Sequence, residues 1–140
     1  MATIEDGDFI LWESNSIVRY LVHEYGAATS LYPNNPKCRG RIDRWLDWTL
    51  FTLGPAERTL FVALVRTDPK LRDQYGIQSD LRTVAAHWAK LNDHLQGRIW
   101  VEGEDFLIAD LVLGAYARRW FGLEDIERPT FPHLEMWYAS

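Results

Sequence analysis

The sequence has few of the residues on which several classes of function depend. Cys38 is its only cysteine, so no disulfide can form within the chain, and we predict a reducing compartment, the cytoplasm. The four histidines show no metal-ligand spacing and have no cysteine partners, which predicts no metal site. The chain contains no glycine-rich phosphate loop and no nucleophile elbow, so P-loop and α/β-hydrolase chemistry are excluded.

Charge and hydropathy argue against two further kinds of partner. Lys and Arg number 15 against 20 Asp and Glu, and the resulting net charge of -5 does not favour general binding to nucleic acid or to anionic lipid. The best apolar run, Leu107–Ala117, is too short for a bilayer span and contains Asp110. We therefore expect neither a nucleic-acid nor a membrane partner.

The apolar pattern predicts a small β-hairpin followed by helices. Asp6-Gly7 stands between two short apolar runs, Ala2–Glu5 and Phe9–Trp12, and Asp-Gly in that position is a strong hairpin signal. Helical spacing then predicts helices over about residues 14–25, 37–66, 80–96 and 107–120, and a further one begins near residue 132. Gly54-Pro55 should bend the second of these. The predicted fold class is mainly α, a hairpin plus one helix followed by an all-helical bundle.

The turn between the second strand and the first helix is the place where the residues most suggest chemistry. Glu13 lies in the turn after the strand and Ser14 opens the helix, whose free backbone N–H groups form a ready site for an anion. A carboxylate directly before them can hold an ammonium group, so the pair suits the two charged groups of an α-amino acid. The alternative is that Ser14, Asn15 or Ser16 only caps the helix, and on spacing alone this alternative is favoured.

Four stretches in register resemble the glutathione transferase family, in particular its bacterial, theta-like members. They are Asp6-Gly7 with Leu11–Leu21, Arg41–Trp48, Phe106–Asp110, and Glu127-Arg128-Pro129 with Pro132-His133-Leu134 and Trp137-Tyr138. The similarity extends over essentially all 140 residues. It implies that residues 1–30 are part of a thioredoxin-like, glutathione-binding domain and that residues 37–140 are the family's helical C-terminal domain.

The resemblance also implies roles for particular residues. Glu13 and Ser14 match the pair that binds the γ-glutamyl end of glutathione, and with this match the ligand interpretation becomes stronger than the capping one. Trp48, Phe51 and Trp120 are candidates for a pocket that takes a hydrophobic electrophile, although aromatic residues at helical spacing are more often core. Glutathione is implied as a substrate, and no cofactor is implied.

The sequence departs from the family pattern in two places. The catalytic Ser, Tyr or Cys of the family belongs to a βαβ unit that would precede residue 1, so we assign no catalytic residue within this chain and leave open whether it acts as an enzyme. The family's cis-proline has no counterpart, because Met1 and Ala2 stand at the corresponding positions. Asp110 matches one half of a capping box and not a catalytic acid, with Leu107 where the family has Ser or Thr.

Three further expectations concern partners. A non-catalytic interaction module remains the alternative function, because helical domains of this type also occur as assembly platforms. Asp43 and Asp47 are weaker candidates for contact with the glutathione amine, and a solvated helix face explains them equally well. The strand Phe9–Trp12 has one uncovered face and an unpaired edge, which together with the resemblance predicts a homodimer.

Overall fold

The computed structural model describes residues 2–26 and 30–140. Strands β1 (Thr3–Asp6) and β2 (Phe9–Trp12) pair antiparallel as a hairpin. Gly7 in the turn has a φ of +62°, which glycine adopts without steric strain. The hairpin that the Asp-Gly pair predicts is therefore confirmed. Met1 and residues 27–29, which fall within the expected first domain, lie outside the described residues.

Helices make up most of the rest of the described chain. They are α1 (Ser14–Tyr25), α2 (Pro36–Trp48), α3 (Gly54–Phe61), α4 (Gln74–His94), α5 (Ile108–Gly122) and α6 (Pro132–Ala139). Helix α1 ends before Gly26, as its sequence predicts. The predicted fold class, a hairpin and one helix followed by a helical bundle, is confirmed. Within residues 2–26 and 30–140, no helix combines the length and the apolarity that a bilayer span requires.

A π-helical turn directly precedes Gly54-Pro55, where the sequence predicts a bend. Residues Thr49–Leu53 are π-helical and join α2 to α3, and a second π-helical stretch, Val62–Arg66, extends α3. Because proline lacks an N–H donor, the normal helical hydrogen bonds cannot continue through Pro55. A Cβ atom at Gly54 would lie 2.6 Å from the carbonyl oxygen of Thr49, so the tight turn requires glycine there.

One predicted helix boundary is wrong. Helix α4 begins at Gln74 and not near Asp80, because the side chain of Asp73 accepts a hydrogen bond from the backbone N–H of Tyr75 and caps the helix. The first turns of α4 are mostly polar and contribute only Ile77 to the core, so the apolar periodicity does not reveal them.

The hydrophobic core lies within the bundle, and α5 is central to it as predicted. Its fully buried side chains include Ile108, Leu113 and Trp120. The hairpin joins the bundle through α1, which contacts both strands on one side and α5 on the other. The contacts of α1 therefore hold the junction between β2 and α1 beside the bundle.

Asp110 ties three segments together in this core. Its carboxylate is 2% exposed, and Oδ2 accepts from the backbone N–H of Leu107 at 3.0 Å. Oδ1 accepts from the backbone N–H of Val101 and from Trp137 Nε1, each at 2.8 Å. The N–H of Asp110 itself donates to the backbone carbonyl of Leu107 at 2.9 Å, so it has a partner although Leu107 offers no hydroxyl. Asp110 thus links the loop before α5, α5 itself and α6.

Candidate functional site

Glu13 occupies a strained position at the start of α1. It is the N-cap residue, with a φ of 73° and a ψ of 116°. A positive φ is uncommon for a residue with a Cβ atom, and such conformations cost roughly 1–3 kcal/mol and concentrate at functional sites. The side chains of Glu13 and Ser14 are both exposed. The structure therefore brings an accessible carboxylate and hydroxyl together at the N-terminus of the helix.

The N-terminus of α1 has no side-chain cap from the described residues. The first helical hydrogen bond runs from the N–H of Ile17 to the carbonyl of Glu13 at 2.9 Å, so the preceding N–H groups have no partner within the helix. Asn15 is buried, and its Nδ2 donates to the carbonyl of Leu46 at 3.0 Å. The interpretation of Ser14, Asn15 or Ser16 as a simple helix cap is therefore wrong, because Asn15 docks α1 onto α2 and no side chain takes the capping position.

Side chains of β1 and α2 hold α1 in place. Arg19 Nε donates to Asp43 Oδ1 on α2 at 2.9 Å, and the hydroxyl of Tyr32 donates to the same carboxylate. The hydroxyls of Tyr20 and Tyr25 donate to Asp6 in the hairpin, and these bonds lower the pKa of the Asp6 carboxyl. The carboxylate of Asp43 thus already accepts hydrogen bonds from two side chains of the protein.

Asp47, the other acidic candidate on α2, is exposed and directly follows Leu46, the residue to which Asn15 is bonded. Asp47 is therefore close in sequence to the contact that docks the start of α1. Asp43, one turn earlier, faces Arg19 and Tyr32 instead. Of the two, Asp47 is the one whose side chain is open to solvent near this junction.

The aromatic candidates do not share one surface. Trp48 is half-buried and lines a cavity of about 290 Å³ with Lys90 among its neighbours. Phe51 is 81% exposed, whereas Trp120 is fully buried with its ring centroid 6.3 Å from that of Trp88. Trp120 therefore belongs to the core and offers no surface to a ligand, which corrects its assignment as a pocket residue.

A larger cavity, of about 980 Å³, opens between α3 with its flanking π-helical turns and α5. Arg58, Arg66 and Arg119 line it together with Phe61 and Tyr116. The sequence interpretation missed this site because its residues come from two helices that are far apart along the chain. The signal that was available is that Arg58 and Arg66 both belong to the one helix predicted over residues 37–66.

Glu57 lies buried next to this cavity and was also missed. It is 2% exposed, and its Oε1 accepts from Trp88 Nε1 at 3.1 Å. Its Oε2 lies 3.9 Å from a guanidinium nitrogen of Arg119 and has no hydrogen-bond partner among the described atoms. Burial raises the pKa of Glu57 to about 8, although Arg119 and the bond from Trp88 lower it. The carboxyl is therefore mostly protonated at neutral pH.

None of the His, Cys, Asp and Glu side chains in residues 2–26 and 30–140 form a group of three or more that could hold a metal ion. Cys38 is a free, partly buried thiol near the start of α2.

Comparison with known protein sequences identifies similar proteins over nearly the whole chain. No protein-family model matches it. It is 35% identical over 136 residues to glutathione S-transferase GstB of Escherichia coli, covering 97% of this chain and 64% of that protein. It is 32% identical over 138 residues to glutathione S-transferase D6 of Drosophila melanogaster, covering 99% of this chain and 61% of that protein. The chain thus spans less than two thirds of the length of these curated relatives.

Solved structures agree with this comparison. The theta class glutathione S-transferase from Xanthomonas axonopodis pv. citri superposes with a TM-score of 0.91 at 41% identity, over 98% of this chain and 72% of that one. A structure of the same enzyme with glutathione bound also gives 0.91, over 98% and 70% of the two chains. The Bombyx mori glutathione transferase BmGSTD1 gives 0.80 at 32% identity, over 98% and 60%.

Proposed function

The chain belongs to the glutathione S-transferase family, and from this premise we propose that it binds the γ-glutamyl end of glutathione at Glu13 and Ser14. The observation that supports the proposal best is the uncapped N-terminus of α1 beside the strained, exposed carboxylate of Glu13. The X. axonopodis relative, with a TM-score of 0.91, has been solved with glutathione bound.

The two charged groups of the glutamyl end have matching partners at this junction. The glutamyl carboxylate would accept from the free N–H groups at the start of α1 and from the Ser14 hydroxyl, where the helix dipole favours a negative charge. The carboxylate of Glu13 would hold the ammonium group in a charge-assisted hydrogen bond. The hydrogen bond from Asn15 to Leu46 holds the start of α1 in place. Binding would therefore cost little conformational entropy at this end of the helix.

We propose residues 1–30 as part of the glutathione domain and residues 37–140 as the helical domain that holds the acceptor. In the reaction proposed for the complete protein, the thiol of glutathione loses its proton and its sulfur bonds to the electrophilic carbon of a hydrophobic acceptor. A leaving group then departs from that carbon with its bonding electron pair, or in an addition the electron pair moves to the neighbouring atom of the acceptor, which takes up the proton. No described residue is assigned to thiol activation.

Similarity to transferases along the whole chain does not favour the alternative of a non-catalytic interaction module. The cytoplasm, a reducing compartment that suits the unpaired Cys38, is the location we propose.

Retention on immobilised glutathione tests the proposed site. The chain should be retained, and Glu13→Ala should weaken binding by about tenfold or more, because the ammonium group loses its charged partner. Glu13→Gln, which keeps the shape but not the charge, should also weaken it. Glu24→Ala removes an exposed carboxylate from the other end of α1 and is the matched control. Equal retention of the Glu13→Ala and Glu24→Ala variants, or no retention of the unaltered chain, would contradict the proposal.

We also propose that two copies associate through the hairpin. Ile10 and Trp12 are 61% and 55% exposed on β2, and they point to the side of the hairpin opposite Leu11. The described sheet has only two strands, so each has an unpaired outer edge. Light scattering at high micromolar concentration should give twice the monomer mass, and Ile10→Lys should reduce it. Leu71→Lys, at a residue that is 77% exposed, is the control. A monomer at that concentration would overturn the proposal.

A further inference from the structure

The smaller cavity, of about 290 Å³, lies between α2 and α4. These helices give it two cations, an imidazole and two indole rings, from Arg44, Trp45, Trp48, Lys90 and His94. It shares no residue with the cavity between α3 and α5 or with the start of α1. Among the described residues that line it there is no acidic side chain. Positive charge therefore faces a cavity to which the proposed function gives no role.

Glu102 holds the guanidinium of Arg44 in place at this cavity. Nη2 of Arg44 donates to Oε1 of Glu102 at 2.7 Å, and the same oxygen accepts from Trp45 Nε1 at 2.8 Å. Glu102 is 7% exposed, whereas the side chain of Arg44 is 60% exposed, so the other N–H groups of Arg44 remain open to a ligand. Because the guanidinium is already fixed, its ordering would cost a ligand little binding free energy.

Lys90 and His94, one turn apart on α4, supply the other polar groups. His94 Nε2 lies 2.7 Å from the carbonyl oxygen of Val101, and because a carbonyl only accepts, Nε2 carries the hydrogen. Nδ1 is therefore the ring nitrogen left for a ligand. Glu102 compensates the charge of Arg44, whereas Lys90 is exposed and forms no ion pair within residues 2–26 and 30–140. The ammonium of Lys90 is thus the charge that most favours an anion here.

From this arrangement we propose that the cavity between α2 and α4 binds a small phosphate monoester, whose phosphate contacts Arg44, Lys90 and His94. A phosphate monoester has three terminal oxygens, one for each of these side chains, whereas a carboxylate has only two. Arg44 and Lys90 donate to two of the oxygens in charge-assisted hydrogen bonds. The third oxygen and His94 Nδ1 share one proton, and a hydrogen bond forms whichever of them carries it.

Trp48 forms the wall against which the esterified group of this ligand packs. Its ring is half-buried and lies edge-on to Trp45 and to His87, with centroid distances of 5.5 Å and 6.1 Å. These contacts fix the ring, so it offers a defined apolar surface beside the charges. A volume of about 290 Å³ is at the lower end for ligand pockets and suits a phosphate with a single ring. The inference goes beyond the proposed function and requires neither Glu13 nor Ser14.

Calorimetric titration of the full chain with phenyl phosphate, inorganic phosphate and benzoate tests the proposal. Phenyl phosphate should bind with a Kd of about 1 mM or tighter, and the other two about tenfold more weakly, because one lacks the ring and the other lacks the third oxygen. Lys90→Gln should raise the Kd for phenyl phosphate by about tenfold, and Lys90→Arg, which keeps the charge, should hold it within about threefold. Lys70→Gln, at an exposed lysine that does not line the cavity, is the charge-matched control.

Trp48→Leu separates the two parts of the site. It should abolish the preference for phenyl phosphate over inorganic phosphate and leave the Kd for inorganic phosphate within about twofold of the unaltered chain. The proposal is overturned by a Kd for phenyl phosphate weaker than about 1 mM, by benzoate binding as tightly as phenyl phosphate, or by equal affinities of the Lys90→Gln and Lys70→Gln chains. Glu13→Ala should bind phenyl phosphate normally while losing glutathione, so failure at one site is distinguishable from failure at the other.

Discussion

Asp110→Ala is expected to lower the free energy of unfolding by about 4 kcal/mol, because it leaves several buried donors without a partner. These donors are the backbone N–H groups of Leu107 and Val101 and the indole N–H of Trp137, all within 3.0 Å of the carboxylate. They belong to the loop before α5 and to α6, so the loss weakens the attachment of both. Urea unfolding followed by circular dichroism at 222 nm measures the change.

Two further variants sharpen this measurement. Asp105→Ala removes an exposed carboxylate from the same loop and should change stability by less than about 0.5 kcal/mol. Asp110→Asn keeps the volume but replaces one acceptor oxygen with a donor, so it should lose about 2 kcal/mol. If the Asp110→Ala chain does not fold, the Asp110→Asn chain still gives a free energy of unfolding. Similar stabilities of the Asp110→Asn and Asp105→Ala chains would show that the buried carboxylate does not hold these segments together.

Glu57→Gln is expected to stabilise the fold above pH 8 by roughly 4–5 kcal/mol. The pKa of Glu57 rises from its ordinary value of 4.5 to about 8 in the folded protein, mainly through burial. Between these values the folded state holds a proton that the unfolded state has released, so the stability of the unaltered chain falls as pH rises from about 4.5 to about 8. Above that range the two states bind protons equally at this group, and its contribution becomes constant.

Glutamine keeps an oxygen that can accept from Trp88 Nε1 but carries no charge at any pH, so the variant should lose this part of the pH dependence. The free energy of unfolding is measured in urea at pH 5, 7 and 8.5, and the difference between the two chains should grow across the series. Glu127→Gln, at an exposed position, should follow the unaltered chain. A constant difference across the three pH values would show that Glu57 does not titrate as its burial implies.

The elements that the sequence predicts well are those that local signals specify. Asp6-Gly7 determines the hairpin turn, and Gly26 follows the last turn of α1, because each depends on a backbone preference of one or two residues. The start of α4 was missed because its first turns are polar and the capping residue, Asp73, is far from the apolar positions that reveal the helix. The cap at Asp73 therefore starts α4 before its buried positions begin.

The candidate site also has features that the sequence predicts and features that depend on how the helices pack. Sequence pattern and resemblance place Glu13 and Ser14 at the junction between strand and helix, and the structure puts both at that junction with exposed side chains. That Asn15 bonds to Leu46 instead of capping α1 follows only from the packing of α1 on α2. The same is true of Trp120, whose helical spacing is equally compatible with a pocket wall and with the core in which it lies.

The hairpin, the helical bundle and the position of the Glu13-Ser14 pair follow from the order of the amino acids, since these features depend on neighbouring residues and on periodicity along one segment. The meeting of Arg66 and Arg119 at one cavity, and the burial of Glu57 beside them, follow instead from the packing of the helices. The reason is that contacts between helices far apart in the chain depend on how whole faces pack, and packing also sets the solvent exposure that controls a carboxyl group's pKa.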